Sequence, residues 1–338
     1  MQQIQVFLSL ILLGLFVTAI IAPIVIRFLY IFSIKVSYKL MKDKSNEEFI
    51  KIHGHKVSTP TLGGIMVAIG FLIVAIFFVP YSAQRDVLLF GWAIFFIYGL
   101  ADGLLVYGRK LSDKMRKLEQ SFGWRVFKLL LLYAITTIFI ILIINFFQIT
   151  SPIILFGLAI PLETITILLG SFAAVVAIYG MEITDGADGL VTGQFLVALV
   201  SYAFIAFVTQ NVILLSLIGI TIGCLLVYLY FNINPARVFM GGVGTFPVGF
   251  LLIASSLITN TLDVLLLMGV IFWVEVLTST LQILSLKFRK KRLFRIAPIH
   301  HYFEAIGWPE TKMVQRFWLF GSIFAIIALA YFVFFRGW

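Results

Sequence analysis

The sequence predicts an all-α fold: a polytopic membrane helix bundle of about ten transmembrane helices, both termini external, with a cytoplasmic cleft. Three observations carry that prediction. Hydrophobic residues fill 62% of 338 positions, charged residues fill 12%, and mean hydropathy is +1.10. Apolar runs recur along the whole chain, each near the roughly 20 residues a helix needs to cross a bilayer. The basic residues fall in alternate connections. Such a composition excludes a soluble multidomain protein.

Ten spans are expected, at 6–30, 62–80, 86–107, 126–147, 153–179, 189–208, 212–231, 243–259, 263–285 and 317–335. Pro161 and Glu163 interrupt the fifth, so a late start is expected there. Met1-Gln2-Gln3 offers no basic segment for a cleavable signal, and the apolar run that follows is too long for one. Cys224 lies inside a span, which leaves no disulfide framework. The chain reads as a single integral-membrane domain, 1–338.

Charge sets the orientation. With alternating spans, one side collects Lys35 to Lys56, Arg109 to Arg125, Arg237, and Lys287 to Arg295. Of 25 Lys and Arg, only Arg85 and Arg336 fall clearly on the other side. The positive-inside rule makes the rich side cytoplasmic and the termini external. Topology and contact with anionic membrane lipids account for the net charge of +10. No separate basic domain exists to bind nucleic acid.

The external connections are short and poor in charge, whereas the five internal ones each hold a polar cluster. The first has His53, His55 and Lys56 leading into Thr59-Pro60-Thr61-Leu62-Gly63-Gly64. The second follows Asp102 and carries the Arg109 to Lys117 basic run. The third is Glu182 with Thr184-Asp185-Gly186-Ala187-Asp188-Gly189, two carboxylates where a span meets water. Ionisable groups at membrane depth point to function by default. The fourth runs from Asn232 through Pro235-Ala236-Arg237-Val238-Phe239-Met240 to Gly241-Gly242, and the fifth is Pro298-Ile299-His300-His301-Tyr302-Phe303-Glu304. Their shared side implies one composite site. Carboxylates, imidazoles, a lysine and glycine-rich backbone suit a metal-bound phosphate substrate.

Each signal taken singly has a plainer explanation. The threonines can cap a helix, a His-His pair on a loop can be solvated, and Asp102 can be a carboxylate paired near a helix end. Glu275 reads as a helix–helix hydrogen bond, with Gln282 its candidate partner. Asp185 with Asp188 resists such a reading best, because both acids approach the membrane together.

In order and content these clusters resemble the polyprenyl-phosphate N-acetylhexosamine-1-phosphate transferase superfamily. The likeness runs from Lys56-Val57-Ser58-Thr59-Pro60-Thr61 to Ala297-Pro298-Ile299-His300-His301-Tyr302-Phe303-Glu304, and the Pro-Ile-His-His segment is similar to the phospho-N-acetylmuramoyl-pentapeptide transferase branch. The resemblance implies a multi-pass protein of the bacterial cytoplasmic membrane, active site facing the cytoplasm, and homodimer formation. It implies that undecaprenyl phosphate attacks the β-phosphate of UDP-MurNAc-pentapeptide, giving lipid I and UMP with Mg²⁺ assisting. By the same resemblance Asp102, Lys56, Asp188 and His300 would be catalytic. Thr61, Glu182, Asp185, Asn232 and His301 would bind substrate, and Asp102, Asp185 and Glu182 would hold the metal.

The chain departs from the family pattern where Gly103 and Gly242 replace aspartates, Val106 a lysine, Glu182 an asparagine and Tyr302 a histidine. Glu182 is expected to supply in part the carboxylate absent at Gly242. The lost acids motivate a second reading, a catalytically impaired relative that binds lipid phosphate or partner proteins. A transporter would carry paired broken helices and midplane charges, whereas the polar groups here gather at one face.

Overall fold

The computed structural model describes residues 1–32, 59–107 and 121–336. Lys56, His53, His55 and the Arg109–Lys117 run lie outside the described residues. Twelve helices and one short hairpin make up the described chain. Eight helices are long and apolar enough to span a membrane: α1 (Gln2–Ile31), α3 (Ala83–Tyr107), α4 (Phe122–Phe146), α5 (Thr164–Ile183), α6 (Leu190–Val208), α7 (Val212–Asn232), α10 (Val270–Arg289) and α12 (Glu310–Phe335). Two shorter apolar helices, α2 (Gly64–Phe78) and α8 (Gly242–Ile258), fill the places of the second and eighth expected spans. Two seven-residue helices, α9 (Leu262–Met268) and α11 (Ile299–Ala305), complete the set. The chain is a polytopic helical membrane protein.

The long helices are apolar nearly all round, as lipid on one side and protein on the other require. α7 and α8 are the most enclosed. α7 packs on α1, α2 and α6, and α8 lies against α2, α3 and α5. Small residues let backbones touch: a Cβ on Gly223 of α7 would stand 2.1 Å from the Ile11 carbonyl oxygen of α1. Close backbone approach of this kind holds helices together where lipid offers no hydrophobic drive.

The fifth span starts late, as expected from Pro161 and Glu163, though the residues before it form a hairpin, and two further boundaries differ from the sequence expectation. Residues 153–160 form an antiparallel hairpin, β1 (Ile153–Leu155) with β2 (Leu158–Ile160), and α5 begins only at Thr164. Phe156 and Gly157 turn the hairpin with φ of 48° and 84°, the left-handed pair that a two-residue hairpin turn uses. Asn260 fixes it by accepting from the Ile154 N–H and donating to the Pro152 carbonyl. The ninth span breaks at Gly269 between α9 and α10, and the Trp273 indole donates to the Leu266 carbonyl beside the break. The last helix starts at Glu310, seven residues before the expected 317, because its first two turns are polar and lie under the internal connections.

At the hairpin end, Asp263 is fully buried, accepts from the Tyr331 hydroxyl at 3.0 Å and lies 3.7 Å from Arg336. Gln3 donates to Gln210 at that same end of the bundle. The polar internal connections gather at the opposite end.

Candidate active site

Backbone hydrogen bonds first join two connections distant in sequence. The Phe239 N–H donates to the Pro60 carbonyl at 2.9 Å, the Gly63 N–H to the Phe239 carbonyl at 2.7 Å, and the Gly64 N–H to the Met240 carbonyl at 3.1 Å. The Thr59–Gly64 run therefore caps no helix through a threonine; α2 starts after Gly63 without a side-chain cap. Thr61 is buried at 3% exposure beside Gly241. Leu62 takes φ 68°, and its side chain occupies the space into which a Cβ on Gly103 would project, 2.3 Å away. An aspartate at 103 has no room while Leu62 sits there.

The Thr184–Gly189 turn is the hub, and its residues face three ways. Asp185 Oδ2 accepts the Gly241 N–H at 2.7 Å. Gly241 has φ 67°, a backbone state that favours glycine, and it opens α8 so that its N–H points at the carboxylate. Gly186 lies against the histidine pair: a Cβ there would meet His300 Nε2 at 2.3 Å. Asp188 turns the other way. Its Oδ2 accepts from Asn234 Nδ2 and the Ala236 N–H, both at 3.0 Å, and its own N–H donates to Glu310 Oε1 at 2.7 Å. Glu310 Oε2 accepts from Asn234 Nδ2 at 3.2 Å.

Asn232 is a second staple. Its Oδ1 accepts from the Gly189 N–H and the Thr192 hydroxyl, both at 3.1 Å, and its Nδ2 donates to the Val238 carbonyl at 3.0 Å. At 1% exposure it orders the third and fourth connections from inside. A buried amide that makes three hydrogen bonds, through both its oxygen and its nitrogen, specifies one geometry for its surroundings.

The charged mouth lies on the Asp185 side. Lys128 Nζ donates to Asp102 Oδ1 at 2.5 Å, with side-chain exposures of 17% and 20%. Glu182 lies within electrostatic reach of Asp102, Asp185 and Lys128. Its Oε1 stands 3.3 Å from the point a Cβ on Gly242 would occupy. Thus Asp102, Glu182 and Asp185 converge with a lysine, while Asp188 backs the turn that presents Asp185. Tyr98 closes the floor by donating to the Lys128 carbonyl at 3.0 Å.

The histidines sit deeper. His300 Nδ1 is 2.8 Å from Glu275 Oε2, His300 Nε2 is 3.1 Å from His301 Nε2, and His301 Nδ1 is 2.8 Å from Glu304 Oε2. Glu275 therefore pairs with His300 and not with Gln282, because α11 folds back against α10. Gln282 instead accepts from the Leu293 and Phe294 N–H groups and donates to the Phe294 carbonyl.

Lys128 and Glu310 are site residues the sequence reading passed over. A lone lysine inside an apolar span is a signal in its own right. Glu310 gave none, since an acid in a first helical turn is what the helix dipole ordinarily selects.

Among the described residues no three carboxylates or imidazoles close around one point where a metal ion would sit. Magnesium asks for less: one or two protein carboxylates, with water and substrate phosphate in the other positions. Glu182 and Asp185 at one mouth fit that demand.

The sequence pattern of glycosyl transferase family 4 matches residues 85–260, from the start of α3 past the end of α8. The chain belongs to that family. It is 34% identical to the phospho-N-acetylmuramoyl-pentapeptide-transferase of Staphylococcus haemolyticus (strain JCSC1435), over 93% of this chain and 98% of the relative. The Thermotoga neapolitana protein of the same name is 33% identical, over 87% of this chain and 93% of the relative. That of Staphylococcus aureus (strain bovine RF122 / ET3-1) is 33% identical, over 94% and 97%. The likeness therefore extends over most of this chain and nearly the whole length of these relatives.

Proposed function

We propose that this protein transfers phospho-N-acetylmuramoyl-pentapeptide from its UDP carrier to undecaprenyl phosphate at the cytoplasmic face of the bacterial membrane, releasing UMP and forming lipid I. The observation that carries the reading is the Asp102–Lys128 pair beside Glu182 and Asp185, at the bundle end where the polar connections meet. The relatives that share this length carry the transferase name. Phosphoryl transfer depends mostly on positioning and charge stabilisation, to which the largely buried Asp102–Lys128 ion pair contributes.

In this scheme a lipid phosphate oxygen forms a new P–O bond to the β-phosphorus, and the bond to UMP breaks with its electrons leaving on UMP. Asp102 orients the lipid phosphate and takes its proton when it arrives as the monoanion. Lys128, held by Asp102, balances the phosphate charge, and Lys56 adds a second cation from outside the described residues. Thr61 lines the mouth beside Gly241. Asp188 and Asn232 hold the turn that presents Asp185, and His300 and His301 line its inner side. Mg²⁺, held by Glu182 and Asp185 with Asp102 nearby, would neutralise the diphosphate.

A catalytically impaired, lipid-phosphate-binding relative is the second reading, and Leu62 filling the space beside Gly103 is the observation that favours it. One assay separates the two. Purified protein with UDP-MurNAc-pentapeptide, undecaprenyl phosphate and Mg²⁺ is expected to release UMP. Substrate binding without UMP would overturn the transferase reading.

A further inference from the structure

Glu275, His300, His301 and Glu304 form a line of three contacts at 2.8, 3.1 and 2.8 Å. Each contact has hydrogen-bond length and so needs one proton between its two heavy atoms. Two neutral imidazoles carry only two protons, and an ionised carboxylate carries none. Were both Nδ1 atoms protonated toward their carboxylates, the two Nε2 lone pairs would face each other at 3.1 Å with nothing between them. That arrangement is repulsive in a site where His300 and Glu275 are fully buried. A third proton removes the conflict.

We propose that these four side chains are one proton-sharing unit holding three protons, with Glu275 the positioning residue that keeps the third in place. Four arrangements satisfy all three bonds: either ring is the imidazolium, or either carboxyl carries the proton and the ring beside it donates through Nε2. All four leave the unit with a single negative charge. Glu275 Oε1 has no hydrogen-bond partner and is buried. A full charge on a half-satisfied buried carboxylate is costly, and spreading it along the line relieves that cost.

Among the described residues Gly186 lies against both rings, with Asp185 and Asp188 on either side of it in the turn. The line engages all four ring nitrogens, so neither histidine meets a ligand through its ring until the Nε2 contact opens. When it opens, the third proton becomes an imidazolium N–H available to a phosphate or diphosphate anion. This last consequence rests on the transferase reading; the proton count does not.

Nitrogen-15 NMR of histidine-labelled full-length protein in lipid nanodiscs tests the count without turnover. The chain has four histidines, and only directly hydrogen-bonded nitrogens couple. The expected result at neutral pH is a through-hydrogen-bond coupling between the two Nε2 atoms, kept in Glu275→Gln, whose amide N–H takes the place of the third proton toward His300 Nδ1. Two uncoupled Nε2 atoms with bare lone-pair shifts in the wild type would overturn the proposal. Loss of that coupling in Glu275→Gln would show that a donor at position 275 does not sustain the line and would overturn the role assigned to Glu275.

Discussion

Glu310 Oε1 accepts the backbone N–H of Asp188 at 2.7 Å, across 122 positions of sequence. With the Asn234 amide bridging both carboxylates, the start of α12 locks the turn that carries Asp185. Glu310 and Asp188 thus act through position.

Glu310→Ala is expected to remove two acceptors and cost about 1.5–3 kcal/mol, the range for hydrogen bonds to charged groups. Thermal unfolding in detergent should show a lower midpoint, and UMP release should fall through kcat. An unchanged midpoint would mean that the clamp does not bear on the fold.

Asp102→Asn is expected to reduce UMP release by roughly 10²–10⁴, the span associated with losing a positioned acid or base. It also replaces the ion pair with Lys128 by a hydrogen bond to a neutral amide at most. Steady-state rates at saturating substrate provide the check, and near-wild-type turnover would remove Asp102 from the mechanism.

Glu182 comes within 3.3 Å of the Cβ direction of Gly242, from a different helix. If it supplies the carboxylate that Gly242 lacks, Glu182→Gln should raise the Mg²⁺ requirement by about tenfold, equivalent to ~1.4 kcal/mol. Mn²⁺ binding followed by electron paramagnetic resonance would show the same shift without turnover. Identical titrations for both proteins would dispose of the idea.

Gly186→Ala places a methyl 2.3 Å from His300 Nε2. The expected cost is about 1–3 kcal/mol of overpacking, concentrated on the histidine line, so the Nε2–Nε2 coupling should weaken while Mn²⁺ binding persists. Unaltered coupling would show that the turn yields instead.

Much of the scaffold was legible because hydropathy is a local property. Spans six to eight came out within one or two residues of α6, α7 and α8. The misses have physical reasons: residues 153–160 are as apolar as a span start, yet two left-handed residues turn them into a hairpin. α12 was read short because its charged first turns resemble a loop until they find Asp188 and Asn234 to bind.

Within the site, the sequence named Asp102, Glu182, Asp185, Asp188, Asn232 and the histidine pair, since acids and imidazoles beside a membrane stand out against apolar surroundings. It left Lys128 and Glu310 unnoticed and paired Glu275 with Gln282, because helical spacing offers only near neighbours. Partners brought by a fold-back at Pro298 have no local signature.

By itself, then, the sequence determined the polytopic helical class, the end of the bundle that carries polar chemistry and the family, all of which follow from composition and order along the chain. The tertiary structure alone decided which carboxylate meets which amine, amide or ring: Asp102 with Lys128, Asp188 with Asn234, Glu275 with His300. Those choices depend on distances between segments that only helix packing brings within hydrogen-bond reach.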